Sequence, residues 1–138
     1  MIDKDLIESK FDVIEINLKF LEEFKGKSAE DLESNYKDLQ AIKYTLFEVC
    51  EGCIDVANHI IAAKNLERAE EYSKMFEVLV KNKIITEKLG KKLAKMTKFR
   101  NLLVHRYADI DTKRLLRIMR YDLKDIKDFM RVILKFVK

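Results

Sequence analysis

The stretch LQAIKYTLFEVCEGCIDVANHIIAA, residues 39–63, decides the fold class. Within it Leu39, Ile42, Leu46, Val49, Cys53, Val56, Ile60 and Ala63 alternate steps of three and four. An α-helix turns about once every 3.6 residues, so this alternation lays one apolar seam along a single long helix. Upstream, Ile7, Phe11, Ile14, Leu18 and Leu21 repeat the pattern and predict a first helix that stops near Gly26, flanked by Lys25 and Lys27. Ser28 followed by Asp31 predicts the start of a short helical turn. Downstream, a shorter helix is expected over Tyr72 to Val80. Thr86 can cap the next, which carries Leu89, Leu93, Met96, Phe99 and Leu103. Asp109 or Asp111 can cap the last, with Leu116, Met119, Leu123, Ile126, Met130 and Ile133 on its buried face. Such seams, joined by short connections, predict an all-α protein: an antiparallel up-and-down bundle of four to five helices.

Composition points the same way. There is no Pro and there are three Gly in 138 residues, so little in the chain breaks a helix. A hydrophobic content of 48% beside 38% charged residues describes a soluble chain that buries a core, not a disordered one. Residues 1–138 are expected to form a single helical domain. No apolar run approaches the roughly 20 residues that a membrane span needs. The opening MIDKDLIESK is acidic and helix-forming, unlike a secretory signal. A cytoplasmic location away from membranes is the resulting expectation.

Charge is unevenly divided. Residues 1–80 carry a balance of −8 and residues 81–138 one of +12, for a net +4. In the basic half, Lys91, Lys92, Lys95, Lys98, Arg106, Lys113, Arg114, Arg117 and Arg120 can create a positive potential that attracts phosphate backbones. The alternative is a set of solvated helix faces balanced in space by the acidic helices.

The same half contains Arg100-Asn101-Leu102-Leu103-Val104-His105-Arg106-Tyr107 inside an apolar, helix-favouring stretch. Arginine supplies a permanent charge and a planar fork of donors suited to phosphate. Histidine exchanges a proton near neutral pH. The two together are a minimal kit for cleaving a phosphodiester without a metal. On an ideal helix, however, residues five apart point roughly 140° from each other, so one straight helix cannot aim Arg100 and His105 at one phosphate. Asn101 and His105 share a face, and Arg100 and Tyr107 nearly do. Either the helix bends or ends near His105, or two chains related by a two-fold axis assemble the site. By spacing alone, His105 can equally be a boundary residue, Arg100 a partner for a buried carboxylate, and Tyr107 an amphipathic edge residue.

Two further groupings bear on metal chemistry. Glu51, Asp55 and His59 stand four residues apart and form one polar stripe beside the central seam. A straight row of that length is too long for one ion to reach all three, so a structural or supporting role is expected, with Arg or Lys of another helix as partner and Arg100 one candidate. Cys50 and Cys53 make a lone C-x-x-C without suitably spaced further ligands, and read as small buried hydrophobes.

The segment from Phe99 to Tyr107, continued by Ala108, Asp109, Ile110 and Asp111, resembles the signature of the HEPN superfamily. It is similar in particular to the HepT-like toxins, with Arg, four residues, His, one residue and Tyr matched at Arg100, His105 and Tyr107. Glu51 to Ile60 resembles the second helix of that family, in which Gly52 is an unusual residue for a helix interior. The resemblance implies a homodimer whose two motifs face each other across a cleft. It implies the toxin of a type II/VII-like toxin–antitoxin pair, a metal-independent endoribonuclease needing no cofactor. In it the RNA 2′-hydroxyl attacks the adjacent phosphate and leaves a cyclic phosphate end. His105, with an ordinary pKa of about 6.5, would be the general base or acid. Arg100 would stabilise the charge developing on the phosphoryl group, and Asn101 would position His105 or the phosphate. A cognate minimal nucleotidyltransferase antitoxin would silence the toxin by adenylylating Tyr107, the added anion blocking the cleft and occupying Arg100. The alternative is a non-catalytic HEPN module that binds nucleotides or docks a nucleotidyltransferase.

Overall fold

The computed structural model describes residues 1–138 and contains only helices and turns. In chain order these are α1 (Lys4–Glu22), α2 (Ala29–Glu33), α3 (Tyr36–Ala63), α4 (Tyr72–Lys81), α5 (Glu87–His105), a 3-10 turn (Tyr107–Asp109), α6 (Thr112–Arg117), a π-helical turn (Ile118–Asp122) and α7 (Leu123–Phe136). Segments α6 and α7 form one continuous rod through the π turn, so five long helices and the short α2 make up the bundle. The all-α antiparallel architecture expected from the seams is the one observed. Pairs along α1 and α3 run in opposite senses, with Asp3 beside His59 and Lys10 beside Asp55. Helix α5 likewise runs against α3, where Cys50 meets Met96 and Gln40 meets Tyr107.

All five α1 seam residues are buried, and so are six of the eight on α3, the exceptions being its terminal Leu39 and Ala63. The α3 face is wider than a seam, because Ile54, Ala57 and Ile61 are buried too. This helix packs against α1, α4 and α5 and is the centre of the core. Along α6 and α7 five of the six expected seam residues, Leu116, Met119, Leu123, Ile126 and Ile133, are buried; Met130 is half-buried, and its neighbour Phe129 is fully buried instead. Phe129 meets Phe11 and Phe76 edge-on, at centroid distances of 6.3 and 5.8 Å, and joins α1, α4 and α7.

Caps set the boundaries. Asp3, Asn35, Thr86 and Asp111 accept backbone N–H groups at helix starts, and Ser28 with Asp31 makes a complete capping box. Gly26, expected to stop α1, lies beyond its end at Glu22 and is not left-handed. The left-handed stops are Asn65 (φ 54°) and Lys83 (φ 58°). Each closes a Schellman pair, with Leu66 N–H bonding Ile61 O and Ile84 N–H bonding Leu79 O, both at 2.9 Å. Gly52 has a different purpose. A Cβ placed there would stand 2.8 Å from two Ile14 side-chain carbons, so the absence of a side chain lets α1 and α3 approach.

Candidate functional site

Helix α5 ends within the motif, directly after His105. Arg106 N–H donates to Leu102 O at 2.8 Å, the last helical bond, and Arg106 itself leaves the helix at φ −134°, ψ 40°. His105 is therefore the final residue of α5 and its side chain is exposed. Tyr107 then turns back in the 3-10 segment, closed by Asp109 N–H to Arg106 O and by an Arg106–Asp109 ion pair at 3.2 Å. On an unbroken helix Tyr107 would nearly eclipse Arg100; the break sends it instead to the start of α3.

Arg100 is the most constrained residue of the motif, with 15% of its side chain exposed. Its Nε donates a short charge-assisted hydrogen bond to Glu51 Oε1. The guanidinium lies over the rings of Phe47, at 5.5 Å, and Tyr72, at 4.9 Å. Its Nη1 donates to Asn101 Oδ1 at 3.2 Å, so Asn101 is engaged by Arg100. Glu51 remains partly exposed, which leaves this ion pair at an open edge of the bundle and not in its dry interior.

The polar stripe Glu51–Asp55–His59 does not act as one unit. Glu51 serves Arg100, Asp55 pairs with Lys10 of α1 at 3.1 Å, and His59 Nε2 accepts the Asp3 N–H at 2.9 Å, the start of α1. Helical geometry explains the split. Each step of four residues advances about 40° around the axis, so a row that faces α5 at Glu51 has rotated toward α1 by His59. Nowhere in the chain do three His, Cys, Asp or Glu side chains converge as metal ligands would. Cys50 and Cys53 are free and buried; burial pushes the Cys50 thiol up to about 12, and Cys53 rises as well.

Tyr107 is half-buried. Its hydroxyl donates to Gln40 O at 3.3 Å, and burial, reinforced by the nearby Tyr36, raises its pKa above the ordinary phenolic value. The cation beside it is Lys43, not Arg100. Lys43 Nζ donates to the Tyr107 carbonyl at 3.1 Å and lies 4.8 Å from the ring centroid. Lys43 is only 5% exposed and makes no ion pair. Sequence reading overlooked it, although a signal existed: Lys43, Phe47 and Glu51 continue the four-residue row upstream, and this upper part of the row faces α5.

Of the basic residues expected around the motif, several are used within the fold. Lys91 pairs with Glu87, Lys92 with Asp125 and Arg106 with Asp109. Arg120 binds the carbonyls of Lys25 and Lys27 at 2.7 and 2.8 Å, tying down the α1–α2 connection. Arg114 lies over Phe99 at 5.3 Å. Lys95, Lys98, Lys113 and Arg117 remain without an ion pair, a smaller positive surface than the charge count suggests.

Known proteins resemble this chain along nearly its whole length. The mRNA nuclease HepT of Shewanella oneidensis is 28% identical over 129 residues, covering 94% of this chain and 96% of its own. The tRNA nuclease HepT of Aphanizomenon flos-aquae is 26% identical over 132 residues, covering 96% of this chain and 90% of its own. Among solved structures, the tri-AMPylated HEPN toxin of Shewanella oneidensis in complex with MNT antitoxin superposes with a TM-score of 0.87 at 27% identity, over 95% of this chain and 98% of that one. No helix here is long and apolar enough to cross a membrane. The family model described as "Ribonuclease HepT-like" matches residues 14–133, from the middle of α1 to the last turn of α7, and the chain belongs to that family.

Proposed function

We propose that this chain is a toxin endoribonuclease that cleaves RNA without a metal and acts in the cytoplasm as a homodimer of one-domain subunits. The observation that carries the reading is the break at the end of α5: His105 is left exposed, while Arg100 is oriented by Glu51 one and a half turns earlier. His105 takes the proton of a ribose 2′-hydroxyl, whose oxygen attacks the adjacent phosphorus. The bond to the 5′-oxygen breaks, that oxygen receives a proton, and a cyclic phosphate remains. Arg100 lowers the barrier by holding the charge that builds on the phosphoryl oxygens. Because Arg100 and His105 leave α5 in different directions, each active site takes groups from two chains. Exposed Val104, next to His105, offers apolar surface for such a pairing.

The relatives named as mRNA and tRNA nucleases support RNA as the substrate, and the neighbour solved with its antitoxin supports a nucleotidyltransferase partner. Silencing proceeds at Tyr107. Its phenolic oxygen bonds to the α-phosphorus of ATP, the α–β phosphoanhydride bond breaks, pyrophosphate leaves, and the phenolic proton passes to a base of the transferase. A non-catalytic module that binds nucleotides or docks the transferase would need Arg100 but not His105. RNA cleavage by the purified chain in EDTA, run beside His105→Ala, separates the readings. Cleavage is expected to survive chelation and to fall about a hundredfold or more in the variant. A wild-type chain that cuts nothing yet binds RNA or a nucleotidyltransferase overturns the catalytic reading.

A further inference from the structure

Lys43 is an anomaly in the bundle. A lysine at 5% exposure is ordinarily paired, since a buried ammonium without a counter-charge is costly. Yet Lys43 makes no ion pair and has two neutral partners, the Tyr107 carbonyl at 3.1 Å and the Tyr107 ring face at 4.8 Å. Both partners belong to one residue, 64 positions away in sequence. The other buried charged residue, Asp125, has its counter-ion in Lys92 at 3.3 Å. The missing anion is therefore specific to Lys43, and the residue its ammonium touches is a tyrosine, whose hydroxyl can carry one.

We propose that Lys43 is the built-in counter-ion for a phosphodiester carried on Tyr107, and thereby determines how firmly the modified chain is held silent. The inference rests on adenylylation of Tyr107 as the silencing step and assigns the protein group that receives the added phosphate. The first phosphodiester on the tyrosine is a monoanion and Lys43 a single cation, so these two match, whereas each further nucleotide, as in the tri-AMPylated relative, adds a charge that Lys43 does not cancel. Attachment at the hydroxyl displaces the hydrogen bond to Gln40 O. The phosphate then competes with the Tyr107 carbonyl for Lys43 Nζ. Since that carbonyl belongs to the 3-10 turn that begins two residues after His105, drawing the ammonium away alters the support of the turn. Arg100 is engaged by Glu51, Phe47, Tyr72 and Asn101, so it need not leave its own site for the modified state to be neutralised.

The test compares wild type, Lys43→Arg and Lys43→Met, each produced with and without the cognate nucleotidyltransferase. Intact mass gives the modification state and thermal unfolding the effect of modification. Adenylylation is expected to raise the Tm of wild type and Lys43→Arg by about 4 °C and to leave Lys43→Met without that gain. Methionine fills a similar volume and removes the unpaired charge, so the unmodified variant should fold; Lys43→Gln supplies the same neutral comparison if it does not. Equal gains in charged and neutral variants overturn the assignment while leaving the silencing step intact. Absence of any mass gain in wild type removes the silencing step and the assignment together. If Lys43→Met instead weakens the unmodified chain's binding to a single-stranded RNA oligonucleotide and modification shifts all variants alike, the ammonium serves RNA phosphate and the proposal fails.

Discussion

Toward α1, the central helix α3 presents Gly52, packed so closely against Ile14 that a methyl group would overlap it. Toward the end of α5, the same helix presents Lys43, Phe47 and Glu51, which together hold Tyr107 and Arg100. At Gly52 the first side is close apolar packing, in which shape decides the fit. The second is polar, partly open and carries a buried ammonium without a counter-ion. Burial stabilises the first side, whereas the second accepts charges that burial penalises. The difference teaches that α3 is at once the spine of the core and one wall of the site, and that substitutions on its two sides should separate stability from activity.

The sharpest way to break this contrast is on the core side. Phe129→Ala removes the ring that links α1, α4 and α7, and the unfolding free energy should fall by about 3–5 kcal/mol in denaturant titrations. Cleavage by the molecules still folded should not change; a loss in that fraction would mean the core and the site are not separable. Gly52→Leu should cost about 1–3 kcal/mol by forcing α1 from α3, more than the about 1 kcal/mol that helix propensity returns. A stabilised variant would show that α1 yields at that point.

On the site side the signs reverse. Glu51→Gln keeps the shape and an acceptor oxygen but removes the charge that orients Arg100. Cleavage is expected to fall about tenfold through misplacement of the guanidinium, with little change in Tm because the pair is partly solvated. A lower Tm with unaltered cleavage would reduce the pair to a structural tie. The smallest effect belongs to Tyr107→Phe, which loses one hydrogen bond to Gln40 and about 1 kcal/mol. The folded chain raises the Tyr107 pKa, so the unfolded chain gives up that proton first as pH rises. Wild type should therefore lose stability relative to Tyr107→Phe as pH climbs past about 10, and thermal unfolding at pH 7 and in alkali measures the difference. Parallel curves for the two proteins would show that Tyr107 is not shielded in the fold.

Much of the architecture is legible in the order of residues. The seams of α1, α3 and α5, the caps at Thr86 and Asp111 and the box at Ser28 are local features, set by a period or by one side chain meeting its own backbone. The helix ends are less legible. Asn65 and Lys83 take the left-handed stops that glycine usually fills, because the apolar residues after them, Leu66 and Ile84, complete the Schellman bonds. The π turn at Ile118–Asp122 is equally hidden, because no single residue type announces one.

Chemistry divides the same way. Residue types and spacing by themselves determined that the chain is a helical bundle, that Arg100, His105 and Tyr107 lie within one short helical stretch, and that Cys50 and Cys53 suit a core. Partnership was decided by tertiary structure: Glu51 for Arg100, Lys10 for Asp55, the start of α1 for His59, and Lys43 for Tyr107. The physical reason is rotation. A row of residues four apart slips around its helix by about 40° per step, so one stripe in sequence faces different neighbours along its length. Which neighbour stands opposite each residue depends on how α1 and α5 pack around α3, and that is a property of the assembled bundle.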